Sequence, residues 1–241
     1  MTEPRWRVTI SNVTGDRSLL ESTLAAAGFD LDGDMLSGEK FEKHDTPDAV
    51  RDVADDIARK IRELARLIPD FDMGFDAGPV HEYDDDGTEH IHHIVRISGA
   101  TTLGLAGTVA TLSDGSKTPE EQAEIKRQEV ADRAATLIRA VIADNDVLAV
   151  LKLLDGEADS TAIYKVYEII GDDLKRKIYM LASKDELKRF TGSLNHPSAS
   201  GDKARHARLK SKPPKNPMTE GEWRVFAETL ADKWIKEKAA P

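Results

Sequence analysis

The spacing of hydrophobic residues changes from a strand-like to a helix-like period near residue 118, and this change limits the folds open to the 241-residue chain. Early in the chain, Trp6, Val8 and Ile10 alternate with polar residues, the two-residue period of a strand with one buried face. Later, hydrophobic residues recur every three or four positions, as in amphipathic helices. We therefore predict an α+β domain over residues 1–115 and an all-α helical domain over residues 116–241.

The order of elements in the first domain predicts a largely antiparallel sheet with two helices, β-α-β-α-β-β-β. The helices are predicted over residues 16–27 and 47–68, and the second begins with Thr46 as N-cap and Pro47 at its first position. The strands are predicted at about residues 6–11, 35–42, 78–83, 89–97 and 101–112.

Helix-start signals recur in the second domain. A Ser or Thr followed by Glu three residues later can satisfy two backbone N–H groups at a helix start, and the motif occurs three times. These capping boxes are Thr118 with Glu121, Ser183 with Glu186, and Thr219 with Glu222. We also predict that Asp146 caps a helix ending at residue 154, and that Asp159 caps a helix ending at residue 170, before Gly171.

Composition excludes several functional classes. The chain has no cysteine, which excludes disulfides, thiolate metal sites and a cysteine nucleophile. It lacks the roughly 20 consecutive apolar residues of a membrane-spanning helix, and its N-terminus lacks the apolar core of a secretory signal. We therefore expect a cytoplasmic protein that binds no membrane. No glycine-rich phosphate loop or serine-centred elbow is present, and we predict no cofactor.

Three histidines of the predicted hairpin are candidate metal ligands. If Asp86 and Gly87 form a two-residue turn, His81 lies opposite His92 and diagonal to His90. Three imidazoles and a water form a recognised zinc arrangement. In the alternative interpretation, Ile91 and other apolar residues of the opposite parity face the core, and the histidines are ordinary solvent-facing side chains.

Arg189 and His196 form a candidate catalytic pair. A spacing of seven residues is almost two helical turns, so the two side chains project from one face if the helix extends that far. Histidine can move a proton during RNA cleavage while arginine stabilises charge on the phosphate. In the alternative interpretation, Arg189 is a solvated helix residue and His196 belongs to a loop that begins near Pro197.

Positive charge is concentrated late in an acidic chain. The formal net charge is −10, yet residues 171–215 contain twelve lysines and arginines against five acidic residues, a net charge of +7 that leaves −17 elsewhere. From Lys203 to Lys215 there are six basic residues and no acidic one. We predict anion or nucleic-acid binding by this segment, with Asn195, Lys203, Arg205, His206, Arg208 and Lys210 as candidate contacts. Alternatively, the segment docks on the chain's own acidic surface.

Several short motifs of the second domain carry a family resemblance. They are residues 163–168 (IYKVYE), Arg189-Phe190, Asn195, Gly201 with residues 204–207 (ARHA), and Pro217-Met218. Over about residues 120–238, the chain resembles a group of uncharacterised bacterial proteins and, more distantly, the helical HEPN superfamily of defence and RNA-processing systems. The resemblance implies a dimer and metal-independent RNA cleavage by Arg189 and His196. Phe190 departs from that pattern, because a polar residue usually follows the arginine.

These observations predict a cytosolic protein of a bacterial defence or stress system that binds RNA or another phosphate-bearing ligand. In one version the protein is also a ribonuclease. The alternative is a non-enzymatic interaction or scaffold module in which the basic segment 201–215 binds an acidic protein partner or a second copy of the chain.

Overall fold

In the part of the chain that the structure describes, antiparallel strands and helices come first and the later elements are all helices, which confirms the predicted α+β class with a C-terminal helical domain. The computed structural model describes residues 4–94, 118–155, 159–196 and 215–240. Its backbone divides into two units, Met1–Ile142 and Ala143–Pro241. The predicted boundary at residue 115 lies outside the described residues and stays a prediction. Within the described ranges, no helix is long and apolar enough to cross a membrane.

The described residues of the first unit form five strands and several helices. In chain order they are β1 (Trp6–Thr14), α1 (Arg17–Ala26), β2 (Asp30–Asp32), β3 (Met35–Ser37), α2 (Glu39–Glu42), α3 (Pro47–Leu67), β4 (Gly74–Tyr83), β5 (Glu89–His92) and most of α4 (Pro119–Ala143). The strand predicted over residues 35–42 is shorter than expected, because α2 begins at Glu39. The strand predicted over residues 101–112 lies outside the described residues.

The sheet has the order β2-β3-β1-β4-β5, and each neighbouring pair is antiparallel. The alternating residues Trp6, Val8 and Ile10 of β1 are buried, as predicted. α3 packs on β1 and β4 with a buried stripe that includes Ile57 and Ile61. Each such fully buried aliphatic side chain contributes about 1.5–3 kcal/mol to folding through removal of its surface from water.

The hairpin between β4 and β5 differs from the prediction by one residue of register. Its turn has three residues rather than two, because the Asp84 N–H donates to the Thr88 carbonyl oxygen and Gly87 adopts a φ of +83°. A type I turn followed by a glycine in this left-handed conformation is a common hairpin connection. His81 therefore lies opposite Ile91 instead of His92. The prediction that Ile91 faces the core is also wrong, since its side chain is 50% exposed.

Helices are the only regular elements among the described residues of the second unit. Its elements are α5 (Asn145–Leu154), α6 (Ser160–Leu174), a 3₁₀ turn (Lys175–Lys177), α7 (Ile178–Leu181), α8 (Lys184–Asn195) and α9 (Glu220–Ala239). The three predicted capping boxes are confirmed, two of them in this unit.

Two helix limits in this unit differ from the prediction. α5 is capped by Asp144, whose carboxylate accepts a hydrogen bond from the Asp146 N–H, so Asp146 lies inside the helix. α6 continues through Gly171 to Leu174, which is buried at 8% exposure. Burial of a leucine side chain outweighs the cost of about 1 kcal/mol for a glycine inside a helix.

The core of the second unit is built around α8 and α9. Phe190, Leu194, Trp223 and Ala227 form a buried cluster together with Ile163 of α6. Near the end of α9, the Trp234 ring N–H donates to Asp173 at 2.8 Å, and the Lys238 ammonium donates to the same carboxylate. The Lys238 ammonium also holds the pKa of Asp144 below its usual range. These contacts fix the C-terminal helix against α5 and α6 of its own unit.

Candidate functional site

The candidate site is centred on the C-terminal half of α8, the last described helix before the basic segment. α8 begins at the Ser183 capping box and buries Leu187, Phe190 and Leu194 on one side. This burial orients the rest of the helix, because side chains four residues apart lie on the same face. Arg189 and Ser193 are related by that spacing, and both side chains reach toward the start of α9.

Ser193 connects α8 to the residue before the cap of α9. Its side chain is fully buried, its hydroxyl donates to the Arg189 carbonyl oxygen at 2.8 Å, and its oxygen accepts from the Met218 N–H at 2.7 Å. Both polar atoms of this contact are thus satisfied without water. Sequence reasoning missed Ser193, because a serine inside a helix gives no signal of a partner 25 residues away.

Arg189 forms a second connection between the same two regions. Its Nε donates to the Asn216 carbonyl oxygen at 2.7 Å, and its Nη2 donates to Glu222 at 2.9 Å. Glu222 is the capping-box residue of α9, and its pKa is lowered by hydrogen bonds from the Thr219 backbone and from Arg189. The Arg189 side chain is 39% exposed, so solvent screening weakens the ion pair. The arginine predicted to stabilise a phosphate is therefore engaged by its own chain.

The other predicted residues of the site follow directly in sequence. α8 ends at Asn195, and His196 is its C-cap with an extended backbone at φ −98° and ψ 123°. The helix thus extends up to His196 but does not include it. Asn195 Oδ1 is buried and accepts no hydrogen bond from any described residue. The remaining candidates, Lys203, Arg205, His206, Arg208 and Lys210, lie outside the described residues.

A groove of about 490 Å³ lies beside these connections, between α8 and α9. Its lining includes Arg189 and Glu222, together with the apolar side chains Leu181, Met218, Val225 and Phe226. Val225 is 61% exposed, which is high for a large apolar residue on an otherwise well-packed helix. The groove is therefore an apolar surface bordered by a charged pair.

The three candidate metal ligands do not converge. His81 donates from Nδ1 to Glu89 at 2.8 Å, and its Nε2 shares a hydrogen bond of 2.7 Å with the Thr9 hydroxyl. His90 donates to Asp84, and His92 donates to Glu82. The one-residue register difference puts His81 on the face opposite to the other two histidines. Over the described ranges, no group of three or more histidines and carboxylates could hold a metal ion. The Asp84 carboxylate raises the pKa of His90.

Comparison with known proteins adds no family assignment. The chain matches no protein-family model, no curated protein and no solved structure. The resemblance of residues 120–238 to the HEPN superfamily stays a prediction, and function has to be argued from the geometry and charge of this site.

Proposed function

We propose that the second unit binds RNA or another phosphate-bearing ligand through the basic segment, residues 201–215. The six basic residues from Lys203 to Lys215 stand in a chain whose net charge is −10, so their concentration is local. Binding of a phosphate backbone by lysine and arginine releases condensed counterions, which is the main source of affinity for nucleic acids. Arginine and lysine are also the donors best suited to phosphate oxygens.

The observation that carries this proposal is the attachment of both flanks of the segment to one helix. On the N-terminal side, the chain leaves α8 at His196. On the C-terminal side, Arg189 holds Asn216 and Ser193 holds Met218, so the chain returns to the same helix before α9 begins. A segment with fixed ends loses less conformational freedom when it binds a ligand than a free tail does. This arrangement supports binding by the segment.

The geometry favours binding over cleavage. In the ribonuclease version, Arg189 would have to stabilise charge on the phosphate, but its guanidinium already donates to Asn216 and Glu222. A role in joining α8 to α9 accounts for its contacts with Asn216 and Glu222. We therefore place Arg189 among the residues that position the basic segment, and we propose that RNA is bound without being cut.

A protein-interaction module is the second candidate, and the groove between α8 and α9 favours it. An exposed apolar surface such as that around Val225 and Phe226 can mark a protein-binding site when charged groups border it. In this version the basic segment contacts an acidic partner, and the groove supplies the apolar contact.

Salt dependence separates the two candidates. For a single-stranded RNA, each phosphate neutralised by the protein adds about 0.7 to the slope of log affinity against log salt. With five contacts, raising the salt concentration from about 50 to 200 mM is expected to weaken RNA binding about a hundredfold. The measurement is fluorescence anisotropy of a labelled oligoribonucleotide titrated with the whole protein. A change smaller than about threefold would contradict a phosphate-binding function.

A further inference from the structure

The turn between α6 and α7 carries three consecutive basic residues that the basic segment does not include. Lys175, Arg176 and Lys177 are all exposed and form the 3₁₀ turn. Lys175 is 3.6 Å from Asp172, a long contact between two exposed side chains. Among the described residues, neither Arg176 nor Lys177 has a carboxylate at ion-pair distance, and the charge of Lys177 interacts with that of Asp173 only at longer range. The turn thus presents cationic groups to solvent in the same unit as the basic segment.

The backbone of this turn is strained. Lys175 has a φ of +53° and a ψ of −122°, a combination that glycine adopts readily and residues with a side chain rarely do. Strained backbone of this kind persists only where the surrounding structure holds it, and it is concentrated at functional sites. The backbone conformation of Lys175 turns the chain sharply after α6, and the three basic residues follow one another at the surface.

Two cavities meet at Lys175. One, of about 580 Å³, is lined by Tyr167, Gly171 and Tyr179 together with Glu168, Asp172 and Ile178. The other, of about 790 Å³, is lined by Lys175, Arg176 and Lys177 together with Asp173, Leu174, Glu237 and Lys238. Asp173 already accepts hydrogen bonds from Trp234 and Lys238, so its charge is largely compensated within the fold. The first cavity is aromatic and the second is cationic.

The two tyrosine rings that line the first cavity differ in their exposure to solvent. Tyr167 packs against Tyr164 and Phe190, with ring centroids 5.7 and 5.9 Å away. Tyr179 is 54% exposed, so a large part of its ring is open to solvent. Gly171 leaves room beside it, because a Cβ placed there would meet only Ile178 Cδ1, at 3.9 Å. The cavity therefore offers an open ring and space next to it.

We infer that this turn is a second subsite for single-stranded RNA, in which Tyr179 stacks on one base and Arg176 and Lys177 contact the adjoining phosphates. Stacking platforms next to cationic grooves are the usual way in which proteins hold single strands without reading their sequence. The carboxylates of Glu168 and Asp172 line the aromatic cavity, which favours a neutral base there and the phosphates on the side of Arg176. The inference deepens the proposed function and names its ligand class as single-stranded rather than duplex.

The test compares a single-stranded oligoribonucleotide with inorganic polyphosphate, which has the charge but no base. Tyr179→Ala is expected to weaken oligoribonucleotide binding about tenfold and to leave polyphosphate binding unchanged, because only the base loses its stacking partner. Tyr179→Phe, the matched control, should bind both ligands as the parent does. Gly171→Leu fills the space next to the ring and is expected to weaken oligoribonucleotide binding to a similar degree, with no loss of charge.

The binding measurements distinguish a failure of the subsite from a failure of the proposed function. If Tyr179→Ala and Gly171→Leu bind the oligoribonucleotide as tightly as the parent, while reversal of Lys203, Arg205 and Arg208 abolishes binding, the inference is wrong and the proposed function stands. If that reversal leaves binding intact while Tyr179→Ala weakens it, the proposed function fails and the subsite stands. A duplex bound as tightly as the single strand would also overturn the inference.

Discussion

Reversal of Lys203, Arg205 and Arg208 to glutamate is expected to weaken RNA binding by about a thousandfold at low salt. Each substitution removes one attractive phosphate contact and adds one repulsive charge, which we estimate at about tenfold per position. The slope of log affinity against log salt should fall by about 2, since three neutralised phosphates are lost. Fluorescence anisotropy gives the affinities, and circular dichroism checks that the helical content is unchanged.

The matched control makes the same change of net charge in the first unit. Lys43, Arg59 and Arg66 are exposed residues of that unit, and reversal of all three to glutamate adds the same negative charge to the protein. This variant should bind RNA within about threefold of the parent, because it leaves every proposed phosphate contact of the basic segment in place. An equal loss of binding in both variants would show that overall charge, and not the basic segment, determines affinity.

Ser193→Ala is expected to lower the free energy of unfolding of the second unit by about 2 kcal/mol. The substitution leaves the Met218 N–H buried without an acceptor, and an unsatisfied buried donor costs about 1–3 kcal/mol. It also frees the C-terminal flank of the basic segment from one of its two connections to α8. Urea unfolding followed by tryptophan fluorescence measures the effect, because Trp223 and Trp234 lie in this unit.

Thr191→Ala is the control for that substitution. The Thr191 hydroxyl donates to the Leu187 carbonyl oxygen within α8 and is partly exposed, so its loss leaves no buried donor unpaired. Alanine also has the higher helix propensity, and we expect a change within about 0.5 kcal/mol. Equal stability of Ser193→Ala and Thr191→Ala would contradict the role assigned to Ser193.

Sequence motifs predicted the structure correctly where it depends on contacts between residues that are close in the sequence. Thr46, Ser183 and Thr219 each cap the helix that they were predicted to start, because a cap involves contacts over only three residues. The register of the β4–β5 hairpin was missed because Asp86-Gly87 fits a two-residue turn and the end of a three-residue turn equally well. The end of α6 was missed because burial of Leu174 overrides the stop signal of Gly171.

The candidate site could be predicted only in part, for a similar reason. The concentration of basic residues after Lys203 is visible in the sequence alone. The structural role of Arg189 is not, because its partner Glu222 is 33 residues away and was already explained as a capping residue. The seven-residue spacing predicted that Arg189 and His196 share one face of the helix. Tertiary contacts decide what the guanidinium binds, and the spacing does not show them.

Photo-crosslinking tests most directly the claim that the basic segment binds nucleic acid. A single-stranded RNA containing 4-thiouridine is bound to the whole protein, irradiated and digested, and the crosslinked peptides are identified by mass spectrometry. The account predicts crosslinks within residues 197–215 and, at the proposed subsite, near Tyr179, and it predicts that reversal of Lys203, Arg205 and Arg208 removes those within residues 197–215. Crosslinks confined to residues 4–94, or RNA binding with no crosslink to residues 197–215, would contradict it.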